Sequence, residues 1–128
     1  MERKLPKVTT FLMFTGQAEE AMKYYTAVFK DSAIDNVTYN EDGSVMLAQF
    51  RLADQVLLCI DSTIKHDFTF TPAISLYVTC ESEAEIDRAF SQLSEGGEEL
   101  MPIGDYPFSR KFGWLIDRFG VSWQLNLP

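Results

Sequence analysis

The stretch VTTFLMFTGQAEEAMKYYTAVF, residues 8–29, decides the fold. Residues 8–14 are a short apolar run that favours a strand, and residues 17–29 carry apolar side chains at the three- and four-residue spacing of an amphipathic helix. The stretch AISLYVTCESEAEIDRAFSQLS, residues 73–94, repeats the order of strand (73–80) and helix (83–94). A separation of about 65 residues is half of the chain and too long for a solenoid repeat, so it indicates two copies of one module.

The two helices have clear faces and one has clear ends. Each carries a single apolar stripe, and Ser82 with Glu85 matches the S-x-x-E capping box that starts a helix. Gly96 and Gly97 end the second helix, since glycine adopts positive φ at little cost. The stripes contain Ala18, Ala21, Met22, Tyr25, Val28 and Phe29 in the first helix, and Ile86, Ala89, Phe90 and Leu93 in the second.

Three further strands follow each helix. The turn-forming residues 40–43 separate strands 33–39 and 45–52, and Ala53-Asp54 reverses the chain into strand 55–61. In the second half we expect strands at 98–103, 111–117 and 121–127, with an irregular loop at 105–110 around Pro107. The fold is therefore predicted to be α+β. It consists of two βαβββ modules in a single domain, 1–128, with module one at about 8–61, a linker at 62–72 and module two at about 73–127.

Composition excludes several classes of function. A net charge of −8 would repel a phosphate backbone, so nucleic acid is not expected as a partner. No run of about 18 uncharged apolar residues exists, which argues against a membrane span, and residues 1–7 do not resemble a signal peptide. Cys59 and Cys80 lack metal-ligand spacing and fall in predicted strands, so we expect buried, reduced thiols and a cytoplasmic protein.

Three phrases of the sequence resemble a known family. These are FLMFTGQAEEAMKYY (11–25), FTPAIS (70–75) and FGWLIDRFGVSWQ (112–124), and together they span almost the whole chain. They resemble the PhnB-like branch of the vicinal oxygen chelate superfamily, which includes glyoxalase I and bleomycin resistance proteins. The resemblance implies curved mixed sheets around a cavity, helices on the outer face and a symmetric homodimer. Sequences of this branch often carry a demethylubiquinone methyltransferase label, but no strand here leads into a Gly-rich cofactor-binding turn.

Catalytic members of the superfamily hold a divalent metal through side chains of the first and last strands of both modules. Transferred to this chain, those positions fall at Thr10, Leu58, Ala73 and Gln124. Neutral hydroxyl and amide oxygens alone compete weakly with water for a divalent cation. We therefore predict no metal and no other cofactor.

Strand alternation predicts which side chains line the cavity. The residues of the last strand that should pack against the helices are Val121, Trp123, Leu125 and Leu127. The residues that alternate with them should face a small organic ligand. An alternative is that some of these polar faces turn to solvent or to a partner subunit. Arg110 and Trp114, with Tyr106 and Phe108 nearby, are candidates for a stacking wall, although Trp114 also suits the core or a dimer interface. The predicted pocket residues are Thr10, Leu12, Leu58, Ser75, Tyr77, Arg110, Trp114, Ser122 and Gln124, and Phe14 and Asn126 share the parity.

His66 is the single histidine and the candidate catalytic residue. An imidazole that titrates near neutral pH serves as a general acid or base, and Asp61 and Asp67 are placed to orient it. The alternative is a solvated loop histidine.

Three hypotheses for function follow. The first is a PhnB-like protein that binds a small organic molecule without the metal of the superfamily. The second is a lyase or oxygenase-type enzyme with an atypical or metal-free site that uses His66. The third is a protein whose cavity is filled by its own side chains and which acts through assembly. The sequence leaves open whether the protein is an enzyme.

Overall fold

The computed structural model describes residues 5–128 and contains two helices and eight strands within that range. It forms two four-stranded mixed sheets, ordered β1-β4-β3-β2 and β5-β8-β7-β6, so the predicted α+β fold class is confirmed. The chain divides into a first unit that runs to Asp67 and a second from Phe68 to Pro128. The elements are β1 (Thr10–Phe14), α1 (Ala18–Val28), β2 (Ala33–Tyr39), β3 (Val45–Leu52), β4 (Gln55–Asp61), β5 (Leu76–Thr79), α2 (Glu83–Ser94), β6 (Glu98–Tyr106), β7 (Ser109–Ile116) and β8 (Ser122–Leu127).

In the first unit β1 pairs in parallel with β4, and β4, β3 and β2 follow as antiparallel neighbours. A parallel pair needs a crossover connection, which here contains α1. Asp61 bonds to the backbone at the start of α1, so its face of the sheet is the helix side, and Cys59 and Leu57 share that side by alternation. The core of this unit lies between that side and the apolar stripe of α1.

The predicted parity of β1 is wrong. Thr10 pairs with Leu57, Leu12 with Cys59 and Phe14 with Asp61, which places Thr10, Leu12 and Phe14 on the helix side of the sheet. Leu12 and Phe14 are buried there, whereas Phe11 is 51% exposed on the other side. Apolar burial beneath α1 determines the orientation of this strand.

The second unit repeats this topology, with β5 parallel to β8 and then β7 and β6 antiparallel. α2 covers one face of the sheet. A Cβ atom on Gly113 would overlap the ring of Phe90, so helix and strand approach closely there. Leu125 pairs with Gly113, and Trp123 and Leu127 are buried on the same side, as the alternation in β8 predicts.

The predicted loop at 105–110 is wrong. β6 continues to Tyr106 and β7 starts at Ser109, and these two residues are paired across a two-residue turn of Pro107 and Phe108. A proline interrupts a strand but is well suited to a turn, so it marks a hairpin here. β5 is shorter than the predicted strand 73–80.

Each unit buries a carboxylate that organises backbone N–H groups. Asp61 Oδ1 accepts from the backbone N–H of Gly16 (2.8 Å) and of Ala18 (2.9 Å), and its Oδ2 accepts from Val45 (3.0 Å). Asp117 Oδ1 accepts from the N–H groups of residues 119 and 121, and its Oδ2 accepts from the indole of Trp123 (2.8 Å). These carboxylates satisfy buried donors that would otherwise destabilise the fold.

The predicted cap of α2 by Ser82 is confirmed, and the Glu85 side chain reaches back one residue beyond the N-cap. Ser82 Oγ accepts from the backbone N–H of Glu85 (3.1 Å), and the Glu85 carboxylate accepts from the N–H of Glu81 (2.7 Å). Gly96 has a positive φ of 77° after the helix, as predicted. Within residues 5–128, no helix has the length and apolar character that crossing a membrane requires.

Candidate functional site

The face of the second sheet opposite α2, called the distal face below, gathers most of the predicted pocket residues. Cross-strand partners share a face, and Tyr77 pairs with Gln124, which pairs with Trp114. Ser122 lies two residues before Gln124 and therefore on the same face. The distal face is thus built from neighbouring positions on β5, β8 and β7.

Four side chains on the distal face form a continuous hydrogen-bonded network, the polar cluster of Ser75, Trp114, Ser122 and Gln124. The Trp114 indole N–H donates to Ser122 Oγ (2.9 Å). Ser122 Oγ lies 2.6 Å from Ser75 Oγ, and Gln124 Nε2 donates to Ser75 Oγ (3.2 Å). Ser122 is 2% exposed, whereas Ser75, Trp114 and Gln124 are half-buried, so the network leads from the protein interior toward the surface.

Beside the polar cluster lies an aromatic cluster of Tyr77, Tyr106, Phe108 and Phe112. Phe112 is at its centre, with ring centroids 4.9 Å from Phe108, 5.9 Å from Tyr106 and 6.5 Å from Tyr77. Phe112 is buried, but Tyr77 and Phe108 are 57% and 63% exposed. The edge-to-face geometry of Phe112 with Tyr106 and Phe108 is favourable, and the exposed rings offer a surface on which a planar ligand can stack.

The structure places Arg110 at the far end of this face. It alternates with Phe112 and Trp114 along β7, so its side chain lies on the distal face, and it is exposed. Among residues 5–128, no ion pair involves Arg110. The role of Phe112 as the centre of the aromatic cluster is not evident from the sequence. The ring of Phe108 contacts Phe112 only because the turn at 107–108 reverses the chain.

Three predicted pocket residues belong to the first unit and lie on two faces of its sheet. Thr10 and Leu12 are on the helix side, as described above. Leu58 is on the opposite side, where it pairs with Phe11 and Gln49 and is half-buried. The first unit therefore does not bring its three candidate residues together.

His66 is half-buried and contacts a serine that the sequence does not single out. Its Nε2 lies 3.0 Å from Ser62 Oγ. That hydroxyl also donates to the carbonyl of Ile64 (2.9 Å) and accepts from its N–H (3.2 Å), which makes it part of a local turn. Asp61, predicted to orient His66, instead binds three backbone N–H groups. A nucleophilic serine would need a hydroxyl proton free to transfer to the imidazole, and the turn engages the Ser62 hydroxyl.

Both cysteines are buried free thiols, one in each unit. Burial, and to a smaller extent the nearby charge of Asp61, raises the pKa of Cys59 to about 12. Burial and then the charge of Glu85 raise the pKa of Cys80 to about 12. Because the thiolate is the reactive form, neither cysteine is suited to nucleophilic or metal-binding chemistry at neutral pH.

Comparison with known proteins agrees with this architecture. A family model described as 3-demethylubiquinone-9 3-methyltransferase matches residues 6–126. A solved PhnB protein from Bacillus cereus that carries the same description is 54% identical, with a TM-score of 0.94 over 96% of this chain and 100% of that one. The chain belongs to the PhnB-like family. No curated protein sequence matches it.

More distant structures extend this relationship. A Pseudomonas aeruginosa protein is 25% identical, with a TM-score of 0.80 over 96% of this chain and 98% of that one. The fosfomycin resistance protein FosX from Mesorhizobium loti is 12% identical, with a TM-score of 0.60 over 98% of this chain and 94% of that one, and shares the fold. The likeness to FosX is one of fold alone.

The metal site that the resemblance to the vicinal oxygen chelate superfamily implies does not fit the residues of this PhnB-like chain. Leu58 and Ala73 have no donor atom, and the amide of Gln124 is engaged by Ser75. In the part of the chain that the structure describes, no three His, Cys, Asp or Glu side chains are grouped to hold a metal ion. The donor set at these four positions lacks the carboxylates and imidazoles that a divalent cation requires.

The methyl donor implied by the family description does not fit either. Nucleotide cofactors bind at Gly-rich turns between a strand and a helix, where free N–H groups meet the ligand. After β1, the N–H groups of Gly16 and Ala18 are already bound by Asp61. After β5, the side chains of Glu85 and Ser82 already accept the N–H groups of Glu81 and Glu85. We therefore derive no methyl-transfer step for this member of the family.

Proposed function

We propose that this PhnB-like protein binds a small organic molecule that carries a planar ring, on the distal face of its second unit and without a metal. The observation that carries the proposal is the position of the polar cluster directly beside the exposed ring of Tyr77. An apolar surface with a few convergent polar groups is the usual composition of a small-molecule site. The ring of the ligand would stack on Tyr77, and its polar group would reach Ser75 and Gln124.

The net charge and the two cysteines support a proposal for the partners and the compartment of this protein. The net charge of −8 disfavours nucleic acid and anionic membrane surfaces as partners. Two buried free thiols are compatible with a reducing, cytoplasmic environment. A function in the cytoplasm, on a diffusible metabolite, is therefore part of the proposal.

The test begins with the purified protein, from which retained ligands are identified by native mass spectrometry. A panel of ring-containing metabolites is then screened by thermal shift, since a ligand that binds the folded state raises its stability by RT ln(1 + [L]/Kd). Tyr77→Ala should weaken the binding of any hit about fivefold or more, given that base- or ring-stacking contacts contribute roughly 1–3 kcal/mol. Tyr39→Ala is the matched control, because Tyr39 is also a partly exposed strand tyrosine but lies in the first unit. An equal loss of affinity in both variants would contradict the proposed location of the site.

We also propose that the protein is a homodimer. Phe11 and Leu47 lie on the face of the first sheet opposite α1 and are 51% and 44% exposed. Exposed apolar patches mark association surfaces, and two-fold dimers are the most common assembly of soluble proteins. Light scattering at micromolar concentration should give twice the 14.6 kDa chain mass. Phe11→Glu with Leu47→Glu should give the monomer.

The control for the dimer is Ile64→Glu. Ile64 is 66% exposed but follows β4 and lies outside the sheet, so its substitution should leave the assembly intact. A monomer mass for the unmodified chain would refute the proposal.

A further inference from the structure

The hydrogen bonds of the polar cluster have one order of donors and acceptors, and the buried end of the cluster sets that order. The indole of Trp114 can only donate a hydrogen bond, so Ser122 Oγ must be its acceptor. Ser122 has one hydroxyl proton of its own and is 2% exposed, so water is not its partner. Within residues 5–128, Ser75 Oγ at 2.6 Å is the acceptor in reach of that proton. The reverse arrangement would leave the buried Ser122 proton without an acceptor, which costs about 1–3 kcal/mol.

The direction continues through Ser75 to the surface. With Nε2 of Gln124 donating to it, Ser75 Oγ accepts twice, and its own proton points away from the cluster. A Gln amide can also be turned by 180°. Ser75 would then donate to Oε1 of Gln124, and the amide N–H groups would point outward instead. Both arrangements end in an outward donor, O–H or N–H.

We infer that the polar cluster recognises a ligand through a carbonyl oxygen attached to a ring or other apolar group. This inference rests on the proposed function and specifies the chemistry of the ligand. An outward donor needs an acceptor, so an amine, which is protonated and can only donate, is excluded from this position. Such polarity-based discrimination is strong, because a mismatched donor leaves buried groups without partners.

A neutral carbonyl fits better than a carboxylate. The cation on the distal face, Arg110, is four residues from Trp114 along β7, which corresponds to about 13 Å of strand. A carboxylate at Ser75 would therefore be partly desolvated without a positive partner, and that is unfavourable. The neighbouring ring of Tyr77 accommodates the apolar part of the ligand.

The experiment compares four probes that share a benzene ring: acetophenone, benzoate, benzylamine and ethylbenzene. Binding is followed by NMR titration of the Trp114 indole N–H, which is assigned by the loss of its signal in Trp114→Phe. We expect acetophenone to bind most tightly. Benzylamine should bind at least tenfold more weakly, even though its positive charge is attracted by the net charge of −8. Tighter binding of benzylamine or benzoate than of acetophenone would overturn the inference.

Variants test the donor itself. Ser75→Ala or Gln124→Ala, whichever removes the outward donor, should weaken acetophenone about threefold to tenfold, as expected for one neutral hydrogen bond, and leave ethylbenzene unchanged. Thr79→Ala is the matched control, since Thr79 is an exposed hydroxyl residue of β5, the strand that begins one residue after Ser75. An acetophenone affinity that is unchanged in both Ser75→Ala and Gln124→Ala would contradict the inference.

A measurement without ligand separates this inference from the proposed function. The buried Ser122 hydroxyl proton should exchange slowly and show an NMR contact to Ser75, and Ser122→Ala should speed exchange of the Trp114 indole N–H. If these signals appear but no ring compound binds, the proposed function fails and the direction of the cluster stands. If Ser75 is found to donate to Ser122, the inference is wrong even where probes bind.

Discussion

The two units share one topology but start their helices in different ways. In the second unit the start of α2 is local, since Ser82 accepts the N–H of Glu85 and the Glu85 carboxylate accepts the N–H of Glu81 within the same segment. In the first unit Gln17 makes no side-chain capping bond, and Asp61 accepts the N–H of Ala18 from 43 residues further along the chain. The start of α1 therefore depends on a folded sheet, whereas that of α2 is encoded in its own sequence.

The opposite faces of the two sheets differ as well. In the first unit this face carries apolar side chains such as Phe11 and Leu58. In the second it carries the polar cluster and the aromatic cluster. The two units thus have the same order of strands and helix, whereas the side chains on the opposite faces of their sheets differ in polarity.

The largest expected effect tests the distant cap. Asp61→Ala removes the acceptor of three backbone N–H groups, at residues 16, 18 and 45, and those of residues 18 and 45 are buried. We expect a loss of about 3–5 kcal/mol in the free energy of unfolding, measured by urea denaturation. Asp61→Asn should lose less, because one carbonyl oxygen remains to accept two of the bonds.

The control for this prediction is Asp54→Ala, which removes a carboxylate from an exposed turn of the same unit. Its stability should remain within about 0.5 kcal/mol of the unmodified protein. A loss below 1 kcal/mol for Asp61→Ala, on the order expected for one ordinary hydrogen bond, would show that α1 does not depend on the distant carboxylate.

A second prediction concerns the contact between helix and sheet. Ala48 in β3 and Gly113 in β7 occupy corresponding positions, opposite Cys59 and Leu125. Only the second unit requires a glycine, since a Cβ at Gly113 would overlap the ring of Phe90. Gly113→Ala should destabilise by about 1–3 kcal/mol, as overpacking does, although its backbone conformation accepts alanine.

The double variant Gly113→Ala/Phe90→Leu examines the cause of that loss. Leucine lacks the ring atoms that overlap, so the combined loss should be smaller than the sum of the two single losses. Strict additivity, measured by thermal or urea unfolding, would mean that the strain arises elsewhere.

The sequence predicts regular structure well where local signals are strong. The structure reproduces the predicted bounds of β2, β3, β4 and α2, because turn residues or a capping box delimit them. The hairpin of β6 and β7 was not predicted, since Pro107 marks a turn as readily as an irregular loop. β1 is apolar at four successive positions, Phe11 to Phe14, so alternation cannot identify its buried face.

The same reasoning explains how much of the candidate site was predictable. β8 reads Ser-Trp-Gln-Leu-Asn-Leu, and this clear alternation places Ser122 and Gln124 on one face from sequence alone. The bond between Ser75 and Ser122 joins residues 47 positions apart and requires the register of β5 against β8, which no local pattern supplies. The contact of Ser62 with His66 depends on a turn whose geometry lies beyond pattern reading.

A smaller loss of stability is expected at the helix starts, where α2 has a side-chain cap and the N-cap residue of α1 makes no capping bond. Ser82→Ala removes the acceptor of the Glu85 N–H and should cost about 1 kcal/mol. Gln17→Ala should cost at most about 0.3 kcal/mol, because the Gln17 side chain makes no capping bond. Both are measured by urea denaturation. Equal losses would contradict the contrast between a local and a distant helix start.

The smallest effect concerns the ion pairs of the two helices. Lys111 in β7 contacts Asp87 (2.8 Å) and Glu83 (3.4 Å) of α2, whereas Lys23 and Glu19 (3.3 Å) both belong to α1. The hydrogen bond to Asp87, followed by that to Glu83, raises the pKa of Lys111 above its usual 10.5. Folding therefore favours the charged ammonium. Its stabilising contribution is complete below pH 10.5 and disappears as the pH rises through the raised pKa.

The stability difference between the unmodified protein and Lys111→Gln should accordingly be constant from neutral pH to about pH 9.5 and shrink above pH 10.5. It should also decrease with added salt, since exposed charges are screened. Lys23→Gln is the comparison in the first unit, and its effect should be smaller because the Lys23 side chain is 67% exposed against 22% for Lys111. A difference for Lys111→Gln that grows above pH 10.5 would reverse the sign and refute the assignment.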